Sequence, residues 1–283
     1  MPGRAAGRRL PRVPDVVTPG SFAAATAVQP TVDGGFTASI PEGWDIIGNV
    51  DGGILLAVAA RAAAVVAERP DPVTVTCHYL APGRAGDHTV QAEVVRSGRR
   101  FATARSTLLD ADGRPVVTTL GTYGSLGAAD ERLHVDGSPP DLPAPEECEH
   151  LVGGDGFPPT FTDRVEVRLH PEDSGLFRGE PSGVPQVRGW FRLLDGEPVD
   201  TIGLLLAVDA FPPTVFNASL PLGWTPTVEL TAHVRARPAP GWLACEFRTR
   251  FVTGGFLEVD GEVWDATGAL VAQSRQLALV PRG

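Results

Sequence analysis

The 283-residue sequence contains no lysine, a single methionine, two tyrosines and three cysteines. All 24 basic residues are therefore arginines, which we attribute to genomic base composition and not to a function. The formal net charge of −10 argues against a nucleic-acid partner, because proteins that bind nucleic acids concentrate positive charge. Cys77, Cys148 and Cys245 show neither CxxC spacing nor a nearby histidine pair. We therefore predict no disulfide framework, no metal and no cofactor, and we expect a reducing, cytoplasmic setting.

Several motifs and targeting signals are also missing from the sequence. No apolar run approaches the roughly 18 residues that a membrane-spanning helix needs. No P-loop, GxGxxG or GxSxG motif occurs, so nucleotide binding of those types and a serine-hydrolase elbow are not predicted. The first residues are rich in arginine and proline and have no apolar signal core. We predict that residues 1–20 form a disordered tail.

An internal repeat is the most informative feature that the sequence does contain. The octapeptide GILLAVAA at Gly53–Ala60 returns 150 residues later as GLLLAVDA at Gly203–Ala210, with six of eight positions identical. A repeat of that length indicates a duplicated domain. One of the two differences places Asp209 where the first copy has Ala59. Within a duplication, this acid marks the second copy as the one that carries the chemistry.

The pattern around the first octapeptide predicts an α+β domain at residues 21–124. A helix at Ile54–Glu68 is apolar on nearly every face, which is typical of a helix enclosed by other structure. Alternating segments separated by turn residues predict the strands that follow the helix. These strands are Val73–Leu80, Thr89–Arg96, Arg100–Leu109 and Val116–Thr122.

A segment rich in Gly, Pro, Asp and Glu predicts a linker at residues 125–160, and a second domain follows at 161–283. The second domain repeats the order of elements, with a predicted helix at Val199–Ala210. Its predicted strands are Val165–Leu169, Val187–Leu194, Thr227–Val234, Trp242–Phe251, Phe256–Trp264 and Leu270–Leu279.

Several fragments, in this order and spacing, make the sequence resemble the acyl-CoA thioesterase II family. They are CHYLAPG, RSGRRFATAR, DRVEVRLHP, the GLLLAVDA helix, TVELT and GALVAQSRQ. The resemblance implies a tandem (double) hotdog fold, in which each half is a curved antiparallel sheet wrapped around a central helix and the halves pair through their sheets. It also implies an acyl-CoA substrate and a homo-oligomer. Carried over residue by residue, it implies that Asp209, Thr227 and Gln276 are the catalytic residues.

These three residue types suit thioester hydrolysis by a positioned water. A carboxylate can accept the proton of the water, while a hydroxyl and a carboxamide hold it without adding charge. Asp209 is therefore predicted to be the base, with Thr227 and Gln276 as water positioners. Their counterparts in the first copy are non-polar, which predicts a catalytically silent half. The counterparts are Ala59 for the acid, Gly121 for the amide, and Pro72 or Val73 for the hydroxyl.

Structural explanations compete with each of these assignments. Asp209 could be a solvated helix-end residue, and Thr227 and Gln276 ordinary strand residues. Gly52 and Gly53 are predicted to bind substrate through free N–H groups at the helix start, where an oxyanion or a CoA phosphate would be stabilised. Close packing of the helix is the alternative reason for these two glycines, and Asp51 reads as the helix cap.

Hydrolysis of an acyl-CoA to the free acid and CoA is thus the predicted function. The alternatives are a double hotdog protein that binds an acyl-CoA or a lipid-like ligand without turnover, or another hotdog enzyme of the acyltransferase or dehydratase kind. Convergence of Asp209, Thr227 and Gln276 on one point is the geometric test that separates hydrolysis from mere binding.

Overall fold

The computed structural model describes residues 20–129, 134–152, 160–218 and 220–281. The predicted disordered tail lies outside the described residues except for Gly20, and so do two stretches of the predicted linker. The domain boundaries drawn from the sequence therefore remain predictions. Within the described ranges, no helix is long and apolar enough to cross a membrane.

The first half contains two helices and eight strands. The helices are α1 (Phe22–Ala25) and α2 (Gly52–Ala67). The strands are β1 (Gln29–Pro30), β2 (Phe36–Ile40), β3 (Asp45–Ile46), β4 (Asn49–Val50), β5 (Asp71–Tyr79), β6 (Gly86–Ser97), β7 (Ala102–Leu109) and β8 (Pro115–Gly124).

The described part of the second half has one short α-helix, α3 (Gly203–Ala207). Its strands are β9 (Glu149–His150), β10 (Val165–Leu169), β11 (Gln186–Leu193), β12 (Thr227–Val234), β13 (Leu243–Arg248), β14 (Val252–Thr253), β15 (Phe256–Trp264) and β16 (Leu270–Leu279). Short 3₁₀ helices occur at Pro145–Glu147, Thr160–Asp163, Pro171–Arg178 and Thr214–Phe216.

Helix α2 is the centre of the first half. Asp51 caps it by accepting hydrogen bonds from the N–H groups of Gly53 and Ile54, which are without acceptors in their own helix. Alanine and leucine, both strong helix formers, occupy most of its length. Because β5, β6, β7 and β8 pack around it and α3 lies against it, 11 of its 16 residues are buried and Val65 alone is exposed. This enclosure explains why the helix has no polar face.

All strands except β3 and β4, which pair with each other, form one antiparallel sheet that runs through both halves. Its order is β1-β2-β6-β7-β8-β5-β12-β16-β15-β13-β11-β10-β9, with β14 paired to β15. Reading outward from the centre, β5-β8-β7-β6-β2 matches β12-β16-β15-β13-β11, so the halves have the same topology. They join where β5 pairs with β12, from Thr74 opposite His233 to His78 opposite Glu229. The predicted tandem hotdog fold, with halves that pair through their sheets, is confirmed.

The second-half helix is shorter than predicted. The sequence predicts Val199–Ala210, but regular α-helix covers only Gly203–Ala207, and Val208 and Asp209 lie in a turn. Pro212 and Pro213 disfavour helical backbone from Phe211 onward, but α3 ends four residues earlier, at Ala207. Asp209 therefore lies beyond the end of the helix and not in its last turn.

Strand pairing fixes how the two copies align around Thr227. In the second half, Leu230 pairs with Gln276, and a bulge separates Thr227 from Glu229. In the first half, Val75 pairs with Gly121, and a bulge separates Pro72 from Thr74 in the same way. The matching ladders make Pro72, and not Val73, the counterpart of Thr227. They also confirm that Gly121 is the counterpart of Gln276.

Candidate active site

A cavity of about 750 Å³ lies between the two halves, and residues of both halves line it. Its walls are mostly apolar and rich in aromatic rings and proline. The large apolar residues among them are Ile46, Ile47, Val50, Leu55, Leu80, Phe177, Val208, Phe211, Phe216, Leu222, Trp224, Phe247, Leu257 and Val259. Among the described lining residues, Asp51 and Asp209 carry the carboxyl groups, and no arginine or histidine is present. An uncharged, apolar group fits such walls.

Asp209, Thr227 and Gln276 all line this cavity, and Gln276 contacts the other two. The Gln276 amide Nε2 donates to Asp209 Oδ1 at 3.1 Å and also to Thr227 Oγ1 in a short hydrogen bond. Gln276 and Thr227 lie on adjacent strands, β16 and β12, while Asp209 reaches them from the turn after α3. The structure thus brings together the three residues predicted to be catalytic, and none of the three points into solvent away from the others.

Gly52 is required by the close approach of Asp209. A Cβ at position 52 would lie 2.6 Å from Asp209 Oδ2 and 3.0 Å from Cε1 of Tyr79, closer than van der Waals contact allows. The Tyr79 hydroxyl donates to the Gly52 carbonyl at 3.0 Å, which fixes this peptide at the cavity wall. The Gly52 N–H belongs to the first helical turn and has no acceptor within its own helix.

Gly53 has a different reason to be glycine. A Cβ there would lie 2.8 Å from the Leu206 Cα and 3.1 Å from the Leu205 carbonyl oxygen. Close packing of α2 against α3 therefore explains Gly53. Its N–H donates to Asp51 Oδ1 at 2.9 Å and also stabilises the Asp209 carboxylate. Of the two predicted substrate-binding glycines, only Gly52 retains an N–H free of a capping partner.

The carboxyl groups of the cavity have strongly perturbed acidities. Burial raises the pKa of Asp209 from its usual 3.8 to about 7, although the Gly53 N–H and the Gln276 amide oppose the rise. Burial, and secondly the charge of Asp209, raise the pKa of Asp51 well above its usual value. Burial likewise raises the pKa of Tyr79. Strongly shifted groups in a cleft are a mark of functional sites.

Sequence reasoning treated Asp51 only as a helix cap and did not identify Tyr79 as part of the site. Both line the cavity, and both belong to the half that was predicted to be silent. The signal for Asp51 was an acid immediately before Gly52, at the start of a helix that faces the other half. Tyr79 is one of only two tyrosines in the chain, which could have drawn attention to it, but the sequence does not show which residues lie near it.

The arginines around the β6–β7 hairpin lie away from this cavity. Arg105 forms an ion pair with Glu93, and the Arg100 guanidinium lies 5.1 Å from the ring centroid of Phe101. Both arginines are exposed, and β6 and β7 lie inside the sheet between β2 and β8, so surface charge and not an edge strand accounts for them.

Comparison with known proteins places these features in a family. Residues 40–124 match the model of the acyl-CoA thioesterase N-terminal domain, and residues 139–280 match that of the C-terminal domain. The uncharacterized protein Rv0499 of Mycobacterium tuberculosis is 31% identical over 268 residues, which cover 87% of this chain and 91% of the relative.

Solved structures agree with this assignment. A candidate thioesterase II from Thermobifida fusca superimposes with a TM-score of 0.85 and 31% identity, covering 94% of this chain and 99% of the other. A conserved protein with a hotdog fold from Alicyclobacillus acidocaldarius gives a TM-score of 0.81 at 24% identity, covering 93% and 98%. The second similarity shows the fold alone, whereas the family models span both halves of the chain. The chain belongs to the acyl-CoA thioesterase family and carries its N- and C-terminal domains as two joined hotdog halves.

Proposed function

We propose that the protein hydrolyses an acyl-CoA thioester to the free acid and CoA by means of a water held by Asp209, Thr227 and Gln276. The observation that carries the proposal is the convergence of these three polar side chains in a cavity whose walls are otherwise mostly apolar. Family membership supports the reaction class, and the apolar walls suit the acyl group.

Asp209 is the proposed general base. A pKa of about 7 leaves a large fraction of the carboxyl ionised near neutral pH while keeping it basic enough to accept a proton from water. The water oxygen attacks the thioester carbon and its proton passes to Asp209. Collapse of the intermediate then breaks the C–S bond, and the proton returns to the departing thiolate.

Thr227 and Gln276 position the water and the base. The Gln276 Nε2 group bridges Asp209 and Thr227, so the carboxylate is held in one orientation. Since Thr227 Oγ1 accepts from this amide, its own O–H remains available as a donor to the water. The Gly52 N–H, at the positive end of α2, is the proposed donor to the thioester oxygen as it gains charge.

Release of free thiol from a panel of acyl-CoAs tests the proposal, with wild type compared with Asp209→Asn. We expect the substitution to lower kcat by about 10²- to 10⁴-fold, the usual contribution of a general base. Asp200→Asn is the matched control, because Asp200 also accepts an N–H at a helix start, that of Gly203, but does not line the cavity.

Equal thiol release by wild type and Asp209→Asn would overturn the mechanism. Tight binding of acyl-CoA by the wild type without any thiol release would instead support the binding-protein alternative.

A further inference from the structure

Asp51 is an unusual helix cap, because half of its carboxyl group has no partner. Oδ1 accepts from Gly53 N–H at 2.9 Å and from Ile54 N–H at 3.3 Å. Oδ2 is buried and has no hydrogen-bond partner among the described residues. The residue is only 1% exposed, yet it contributes to the cavity lining. Leaving a buried carboxylate oxygen unpaired is costly, so a helix cap alone does not account for this acid.

The surroundings of Asp51 contain negative charge and no compensating cation. Asp209 faces it from the turn after α3, and Tyr79 faces it from β5, where Cys77 is the next titratable group. The cavity lining contributes no arginine or histidine among the described residues. Two carboxyl groups that share one buried site do not both ionise, because each charge opposes the other.

Burial decides which of the two keeps its proton, because each carboxyl receives two hydrogen-bond donors but Asp51 is the more deeply buried. Asp209 is partly exposed to the cavity, and its carboxylate is stabilised by the Gln276 amide and the Gly53 N–H. Asp51 is almost fully buried, and only Oδ1 receives donors. The ionised form is therefore better accommodated at Asp209, and the neutral form at Asp51, whose proton sits on Oδ2.

We propose that Asp51 is a second functional acid of this site, a carboxyl that keeps its proton while Asp209 is ionised and so limits the cavity to one negative charge. The role given to Asp51 in catalysis rests on the proposed hydrolysis, whereas its protonation state does not. A second charge beside Asp209 would oppose the negative charge that develops on the thioester oxygen. Asp51 does not contact the reacting atoms in this proposal. It acts through Asp209, as a positioning residue, by adding no second negative charge to the cavity.

Infrared titration of the full-length protein tests the protonation state directly. At about pH 9, well above the pKa of Asp209, we expect the wild type to show the carbonyl band of a protonated carboxylic acid. Asp51→Asn should lack that band while keeping the fold, because asparagine caps a helix as well as aspartate does. In Asp209→Asn the band should disappear at a lower pH than in wild type, since the neighbouring charge is gone.

The pH profile of kcat/KM supplies the second readout. We expect wild-type kcat/KM to fall by up to about tenfold per pH unit on the alkaline side, starting where the infrared band is lost. The alkaline fall should be absent from Asp51→Asn and unchanged in Asp200→Asn, the control at the other helix start.

Two results would overturn the inference about Asp51. One is a band that is missing from the wild type at about pH 9 or that persists in Asp51→Asn. The other is an identical alkaline fall in wild type and Asp51→Asn. If wild type and Asp209→Asn release no thiol from any acyl-CoA, the proposed function fails, while the infrared titration still decides whether Asp51 holds the proton.

Discussion

The two halves share a topology but divide the site between them. The second half supplies Asp209, Thr227 and Gln276, whose counterparts in the first half are Ala59, Pro72 and Gly121. The first half supplies the helix start, Asp51 and Gly52, and the octapeptide alignment places Thr201 and Ile202 at those positions in the second half. Neither half holds a complete set. The duplication has produced one composite site.

Helix length is the physical basis of this division. Ala59 lies in the middle of α2, is 0% exposed, and its carbonyl accepts from Ser106 Oγ at 2.8 Å. Asp209 lies after α3 has ended, where a side chain can turn into the cavity. A polar group is tolerated at the second position because the backbone there has left the helix. The same residue at the first position would be enclosed by the sheet.

Moving the acid into the first half should therefore have the largest effect. Ala59→Asp would bury a carboxyl away from solvent in the middle of α2, and we expect a loss of about 3–5 kcal/mol in the free energy of unfolding at neutral pH. Guanidinium unfolding measures this loss. Ala59→Asn is the control of similar size without charge.

The two variants at position 59 should converge as the pH falls and the new carboxyl becomes protonated. If Ala59→Asp were as stable as wild type at neutral pH, burial would not explain why the acid occurs in one copy only.

The ionised Asp209 carboxyl should also lower the free energy of unfolding of the wild type, but by less than a carboxyl at position 59. Its pKa in the folded state, about 7, lies above the usual 3.8, so ionisation favours the unfolded chain. The contribution of Asp209 to the stability of the wild type should then fall as the pH rises from about 4 to about 7 and level off above that, while the contribution of Asp51, whose pKa is also raised, continues to fall at higher pH. Asp209→Asn removes this loss, so we expect it to be more stable than wild type by about 1–3 kcal/mol at pH 8, a value reduced because the carboxyl is partly exposed.

Unfolding curves collected across this pH range check the expectation. The difference between wild type and Asp209→Asn should shrink towards pH 4. An Asp209→Asn protein that is less stable than wild type at pH 8 would contradict the conclusion that the buried, ionised Asp209 carboxyl destabilises the folded protein.

Much of the fold could be predicted because alternation and turn residues are local signals. The strands at Val165–Leu169, Thr227–Val234, Phe256–Trp264 and Leu270–Leu279 begin and end where the pattern predicts. The strand at Phe36–Ile40 was missed, since a short segment between turn residues resembles a loop when it is read alone. Its pairing with β6 is made by residues about 50 positions further along the chain.

The candidate site likewise has residues that the sequence could indicate and residues that it could not. Asp209, Thr227 and Gln276 could be singled out as candidates because comparing the two copies, together with the family resemblance, marks what is unusual in the second one. Asp51 and Tyr79 could not, because their relevance depends on how α2 and β5 face the other half. The end of α3 also depends on tertiary context, since the apolar run of the octapeptide continues past the point where the helix stops.

The two glycines at the start of α2 should separate activity from stability. Gly53→Ala would press a Cβ against backbone atoms of α3, and we expect a loss of about 1–3 kcal/mol in the free energy of unfolding. Gly52→Ala would instead displace the Asp209 carboxylate and the Tyr79 ring. It should lower kcat for thiol release while leaving the free energy of unfolding closer to that of wild type.

Unfolding and thiol release measured on both variants check this contrast. Gly203→Ala is the control in the second copy, where the three atoms nearest to a Cβ belong to the side chains of Val199, Asp200 and Phe22. Full activity in Gly52→Ala would mean that the position of Asp209 against this peptide is unimportant.

Removing the Thr227 hydroxyl should have the smallest effect on kcat/KM, because it removes about one hydrogen bond. Thr227→Val keeps the shape of the side chain but removes the hydroxyl that accepts from Gln276 Nε2. We expect kcat/KM to fall by about three- to tenfold, because one hydrogen bond is worth about 1 kcal/mol. Thr231→Val is the control on the same strand, since the Thr231 hydroxyl contacts Thr76 across the joint between the halves and Glu229. Thr231→Val should lower the free energy of unfolding but keep its activity. If Thr231→Val lost activity and Thr227→Val kept it, the Thr231 hydroxyl between β5 and β12, and not the Thr227 hydroxyl in the cavity, would serve the reaction.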